Sequence, residues 1–229
     1  MSCANATWAQ ATVGSGSGDG GRAVLEVLDR VYPFHGRWLV QNSPADRVPS
    51  HGTAAFASSY AIDFVPVDAD GRSARVRFST LVRSEPPDRF PGFGREVLAP
   101  VSGLVVAVGD GEPDHLAHRG LPSLAYALTQ GRRAAAGWAA LAGNHVLIRS
   151  GPGPVVALCH LQQHSVRVAP GDQVRAGQTI ARCGNSGNST EPHLHLQAFT
   201  GLRPEEAVAV PVTFHGAVPR NGPVVGSGG

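Results

Sequence analysis

Lysine is missing from all 229 residues, so every basic side chain other than histidine is an arginine. A base-composition bias of the genome accounts for this economically. It also excludes chemistry that needs a lysine amine, including Schiff bases and lysine-linked prosthetic groups. Cysteine is scarce: Cys3, Cys159 and Cys183 form no CxxC pair and are too few for a disulfide framework. Cys159 and Cys183 could pair if their strands are adjacent, but the favoured reading makes both small buried hydrophobes. Charge is sparse as well, with 16% charged residues and a formal net charge of +2, too little to argue for nucleic acid. No apolar run is long enough to span a bilayer. The opening stretch, MSCANATWAQATVGSGSGDGG, has no basic start followed by an apolar segment and does not read as a signal peptide. Export therefore has no visible route, and a cytoplasmic location stays open.

What is abundant is glycine and proline, 29 and 18 residues, lying between short runs rich in Val, Ile and Leu. That texture predicts many short strands joined by tight turns. Residues 1–21, small and polar, are expected to be a flexible arm. One domain is expected over 22–215 and a frayed tail over 216–229. Residues 23–32 suit a short helix or strand. Residues 37–52 read as a strand followed by a turn-rich loop, and strands are expected over 59–68, 72–82, 144–150, 154–161 and 193–200, with the Gly-Pro-Gly turn closing a hairpin between 144–150 and 154–161. Residues 96–110 read as two short strands around the Pro-Val-Ser-Gly turn, and 165–184 as short strands between Pro-Gly-Asp and Ala-Gly turns. The Ala- and Leu-rich segment 121–143 breaks this rhythm and predicts a helical insertion beside the sheets or over the site.

The chemistry-bearing residues begin with His193-Leu194-His195. Two residues apart on a strand point to the same face, so both imidazoles project together. A surface strand carries such a pair by chance often enough that the motif alone is weak. Here it follows GNSGNSTEP, a Gly-, Asn- and Ser-rich loop of the kind that lines a cleft. His160 stands near the end of PVVALCHL, where strict alternation places Cys159 on one face and His160 on the other. Asp63 sits inside the otherwise apolar SYAIDF. A carboxylate there needs a partner, because burying it unpaired costs several kcal/mol. The bland alternative is an aspartate capping a turn or pairing with an arginine. Zinc suits the set, since a catalytic zinc keeps three His, Asp or Glu ligands and an open fourth position. His51, in a loop twelve residues before Asp63, is the remaining ligand candidate. The other histidines read as surface or core residues.

At this point the chain resembles the lysostaphin-type zinc endopeptidases (the LytM-like M23 family), which cut peptide cross-links in bacterial cell walls. The resemblance runs from about His51 to Thr200. It is carried by YAIDF, APVSGLVVAVGDG, GNHVLIRS and LCHLQQHSVRVAPGDQVRAGQTIARCGNSGNSTEPHLHLQ, in that order. It implies a mainly β fold, a twisted antiparallel β-sandwich of barrel-sandwich hybrid type, with a metallopeptidase domain over 22–215. It implies zinc as cofactor, peptidoglycan or another peptide as substrate, and a secreted or cell-envelope location. Residue by residue, it implies that Asp63 and His195 bind the metal and that His160 and His193 act in catalysis. The usual pattern has its first ligand, a histidine, four residues before the aspartate, where this chain has Ser59. A sub-group carries that histidine on a longer upstream loop, which His51 resembles; His35 is the fallback.

In hydrolysis, one of His160 and His193 would take the water's proton while the other stabilises the oxyanion and protonates the leaving amine. Tyr60 is an added oxyanion candidate, and Asn144 a candidate support for the ligand loop. Two other readings compete. VRVAPGDQVRAGQTIA resembles the hammerhead of biotinyl and lipoyl carriers, which the absence of lysine removes. A catalytically inactive family member acting as a binding or regulatory module is the other.

Overall fold

The computed structural model describes residues 28–74, 83–123 and 130–226. The expected arm over 1–21 and most of the strand expected over 72–82 lie outside them. The fold is mainly β, as the glycine- and proline-punctuated sequence predicts. Thirteen short strands run through the described residues: β1 (Leu28–Arg30), β2 (Trp38–Gln41), β3 (Ile62–Pro66), β4 (Glu96–Leu98), β5 (Gly103–Gly109), β6 (Asn144–Arg149), β7 (Val155–Leu161), β8 (Gln173–Val174), β9 (Thr179–Arg182), β10 (Leu194–Phe199), β11 (Ala209–Val210), β12 (Val212–Phe214) and β13 (Val224–Val225). Helices α1 (Gln130–Ala135) and α2 (Trp138–Ala142) fall inside the expected insertion.

A nine-stranded antiparallel sheet carries the architecture, in the order β13-β2-β3-β10-β7-β6-β5-β8, with β11 added beside β10. The expected hairpin across Gly-Pro-Gly is β6–β7. The strands flanking the Pro-Val-Ser-Gly turn do not pair with each other. β4 pairs with β9, whereas β5 lies between β6 and β8. One ladder, β1 with β12, is parallel. The tail expected to fray over 216–229 instead supplies β13, which pairs with β2 through Val224↔Leu39 and Val225↔Trp38. Pairing satisfies an edge that would otherwise present unpaired backbone groups.

The two faces of the sheet do different jobs. One carries Trp38, Phe64, Leu158, Leu196 and Ile148 into the main core, closed by Val97, Ile180 and Ala181 of the β4–β9 pair. Phe64 is fully buried between the rings of Tyr32, Phe34 and Phe214. The other face carries Cys159, Ala157 and Phe199 against Trp138 and Ala142 of α2. Period-2 alternation along β10 therefore sends Leu194 and Leu196 into the core and His193, His195 and Gln197 to the opposite side. Among the described residues no helix is long and apolar enough to cross a membrane.

Candidate metal and catalytic site

Strand register brings the acid and the imidazole together. In the β3–β10 ladder Asp63 stands directly opposite His195, which on its other side stands opposite Cys159 of β7. Residues opposite one another across antiparallel strands have side chains within contact distance. His195 Nδ1 lies 2.9 Å from Asp63 Oδ1. Its Nε2 lies 3.0 Å from Gln197 Oε1, and the Gln197 amide donates in turn to the Phe56 carbonyl at 2.9 Å.

His51 reaches the same carboxylate from a loop, with Nε2 3.0 Å from Asp63 Oδ2. The backbone shows how. The Ser50 N–H donates to the carbonyl of Ser59 at 3.0 Å, stitching the loop beside the position four residues before the aspartate. The departure at Ser59 is thus met by a neighbouring residue in space. The other His51 nitrogen, Nδ1, lies 2.9 Å from Ser50 Oγ, and Asn42 Nδ2 donates to Asp63 Oδ2 at 2.8 Å. His51, Asp63 and His195 offer one donor atom each, all within 4.8 Å of one another. His35 lies exposed and apart from this group.

His160 and His193 sit beside the trio. Their rings are 4.7 Å apart, and His160 is 5.7 Å from the His195 ring. His160 Nδ1 donates to the Ser186 carbonyl at 2.9 Å, and His193 Nδ1 to the Glu191 carbonyl at 2.8 Å. A carbonyl only accepts, so both rings carry a proton on Nδ1 and turn Nε2 away from these carbonyls. For His193, that Nε2 is 3.8 Å from Asp63 Oδ1. The backbone at His160 takes φ +62°, a left-handed conformation that costs a non-glycine residue energy and gathers at functional positions. It also overturns the expectation from alternation. The twist at residue 160 breaks the pleat, so Cys159 and His160 both line the groove.

The Gly-, Asn- and Ser-rich loop is held by its own polar groups. Asn185, Ser186 and Ser189 are fully buried, with Ser189 Oγ donating to Asn185 Oδ1 and the Asn185 N–H to Asp114 Oδ1. Asn144 supports it: its N–H donates to Ser186 Oγ, and its side chain bonds the Glu112 backbone and the Leu161 carbonyl. It thus stands behind the residue that anchors His160. Tyr60 does not line the groove; its ring packs on the cluster that contains Trp138 and Phe199. Neither Gln197 nor Asn42 was singled out from the sequence. Gln197 carried a legible signal, two residues beyond His195 on the same strand face. Asn42 carried none.

The electrostatics follow from crowding. Burial would raise the Asp63 carboxyl, but His51, His193 and the His195 hydrogen bond together hold it well below the usual carboxylate range. Burial works against protonation of His51, yet the Asp63 charge wins and raises that imidazole. Burial, reinforced by His193 and His195, pushes His160 well below an ordinary histidine. Cys159 and Cys183 are free, buried thiols raised by desolvation, hence unreactive.

All of this opens into a groove of about 240 Å³. The turn around Phe56 forms one wall, and Trp138, Leu141 and Ala142 of the helical insertion another. The insertion is latched to the Asn- and Ser-rich loop by the Asn188 N–H to the Leu141 carbonyl, 2.8 Å, and by Arg133 to Asn188 Oδ1, 2.9 Å.

Residues 114–206 match the model of Peptidase family M23. Over 79 residues the chain is 34% identical to the peptidoglycan DD-endopeptidase ShyA of Vibrio cholerae serotype O1, covering 34% of this chain and 18% of that protein. Over 90 residues it is 33% identical to the glycyl-glycine endopeptidase ALE-1 of Staphylococcus capitis, covering 38% of this chain and 24% of that one. The aligned part thus spans about a fifth to a quarter of the curated relatives' length. Among solved structures, the catalytic domain of lysostaphin from Staphylococcus simulans superposes with a TM-score of 0.37 at 20% identity, covering 66% of this chain and 77% of that one. The family match contains His160, His193 and His195 and stops short of Asp63 and His51, which join them through the fold. Over residues 114–206 the chain is thus similar to peptidase family M23, and in its aligned part it resembles the endopeptidases of these two organisms.

Proposed function

We propose that this chain is a zinc-dependent endopeptidase that hydrolyses peptide bonds, with bacterial peptidoglycan cross-links as substrate. The observation that carries the reading is convergence. Asp63, His195 and His51 come from two strands and a loop to offer one oxygen and two imidazole nitrogens beside an open groove. That donor set fits zinc: two imidazoles and a carboxylate are a catalytic-zinc combination. His51 Nε2 stands 3.0 Å from Asp63 Oδ2 and His195 Nδ1 2.9 Å from Asp63 Oδ1, near the edge of about 3.4 Å that zinc bonds of about 2.0–2.1 Å imply. Each donor residue also has an outer partner that fixes its orientation: Ser50 for His51, Asn42 for Asp63 and Gln197 for His195. His51, Asp63 and His195 are the residues that would hold the ion.

When bound, zinc supplies Lewis acidity, lowering the pKa of water and polarising a peptide carbonyl. The protein supplies proton transfer and position. His160 and His193 turn Nε2 to one groove, so the ring that is neutral takes the proton of the attacking water, while the other, protonated on Nε2 as well, donates to the carbonyl oxygen and then gives that proton to the departing amine. The Ser186 and Glu191 carbonyls accept from Nδ1 of the two rings and so hold each Nε2 toward the groove. Asn144, through Ser186, keeps the first of those carbonyls in place.

The test is metal content combined with turnover. Purified protein should bind about one zinc per chain and clear peptidoglycan in a chelator-sensitive manner. His195→Ala should lose the metal, whereas His193→Ala should keep it and lose turnover. Turnover that persists in metal-free protein refutes the reading, and a protein that holds zinc without cleaving any cross-link is a binding module.

A further inference from the structure

Asp63 and His195 are held by ladders of the main sheet, but His51 is not. The chain leaves β2 at Gln41 and does not re-enter a strand until Ile62. A ligand on such a loop is ordered only by what touches the loop, and freedom left in it is lost on binding the metal, at the expense of affinity. Its first residues, Ser43 to Asp46, are touched by the C-terminal segment. Asn221 Oδ1 accepts the Ser43 N–H at 2.7 Å, and the Pro219 carbonyl accepts the Ser43 hydroxyl. The Asn221 N–H donates to Asp46 Oδ2 at 2.7 Å, while Arg220 pairs with Asp46 Oδ1 at 3.0 Å. The Val40 N–H donates to Pro223 and Gly222 donates back to Val40, leading into β13.

These anchors lie next to the metal-ligand candidates. Ser43 follows Asn42, whose amide holds Asp63 and whose backbone turns left-handed at φ +49°. Asp46 precedes Arg47, which donates to the Ser50 carbonyl at 2.8 Å beside His51.

We propose that Asn221, at the centre of the strap formed by residues 217–225, is a positioning residue for the metal centre. The strap orders the loop that delivers His51 before any ion arrives. This rests on the zinc reading above, and it extends that reading to a part of the chain outside the family match.

The test uses the full chain with Asn221→Ala, a substitution at an exposed position away from the core, and reads two quantities. In metal-free protein, amide hydrogen exchange should accelerate across residues 43–52 and stay unchanged in β7 and β10. In a competition titration against a chromogenic chelator, zinc should bind about tenfold more weakly, the lower end of what loss of a ligand's outer support costs. Exchange that is unchanged over 43–52, or raised uniformly along the chain, overturns the proposal. So does zinc affinity within twofold of the parent. If the parent protein takes up no zinc, the zinc reading fails by itself, while the exchange measurement still decides whether the strap orders the loop.

Discussion

Replacing Gln197 with methionine isolates the contribution of a neutral amide behind a charged centre. The side chain is 2% exposed and makes two hydrogen bonds, one with its carbonyl oxygen to His195 Nε2 and one with its amide to the Phe56 carbonyl. Methionine matches it in length but makes neither. Each bond is worth about 1 kcal/mol net, and a buried group left without a partner costs about 1–3 kcal/mol. Because the groove admits water to both partners, the loss of folding stability should fall near 1–3 kcal/mol. Zinc affinity is a separate quantity. Without an acceptor for its Nε2–H, the His195 ring is free to turn and its Nδ1 becomes a weaker ligand, a loss of about 10–100-fold. That factor corresponds to about 1.4–2.7 kcal/mol. Urea unfolding of metal-free protein reads the first quantity, and competition with a chelator reads the second. Gln197→Glu separates them further. It restores an acceptor to His195 and should recover zinc affinity, but cannot donate to Phe56 and should recover only part of the stability. A folded methionine variant that binds zinc within twofold of the parent would refute the argument.

Other perturbations reach the fold and the site from different sides. Phe64→Ala empties the space between Tyr32, Phe34 and Phe214 and should cost about 3–5 kcal/mol in chemical denaturation, the range for a buried phenylalanine. Gly187→Ala puts a methyl group against the backbone of Gly143 and Leu141 at a residue with φ +69°, so it should cost about 1–3 kcal/mol, measured by thermal melting, and displace the loop that anchors His160. Asp29 fastens β1 to β12. The Gly216 N–H, against the opposing effect of burial, and Thr213 Oγ together lower its carboxyl below 3.8. A depressed folded-state pKa gives stability that is complete above the unfolded value and is lost as pH falls through the folded one. The advantage of the parent over Asp29→Asn should therefore be small near neutrality, under about 1 kcal/mol at so exposed a site, and should vanish on acidification below 3.8. An advantage that grows in acid would contradict the assignment.

How far the sequence reveals this site depends on which physical rule governs each residue. Where strand periodicity governs, it reads directly. His193 and His195 share a face because they are two apart, and Asp63 interrupts an apolar strand that had to bury it next to something cationic or metallic. Register completes the pair, since Asp63 and His195 are opposite partners. Gln197 obeys the same period and could have been read from it. Periodicity fails at His160 because one left-handed residue ends the alternation and turns two consecutive side chains to the same groove.

Loops follow a different logic. Only a resemblance to an upstream loop, and no periodicity, marks His51 in VPSHGTAAF as a ligand candidate. What brings it beside Asp63 is the Ser50 to Ser59 backbone bond, a contact that only the assembled fold creates. The same holds for the C-terminal segment. Its glycines and prolines read as a frayed end, because composition registers the lack of a long apolar run and cannot register an edge strand waiting for a partner. Two residue pairs of β13 on β2, with Asn221 and Arg220 bonded to the loop that carries His51, hold it. Short strands of this kind gain their stability from where they dock, so their presence follows from the tertiary contacts of β2 and of the loop that carries His51.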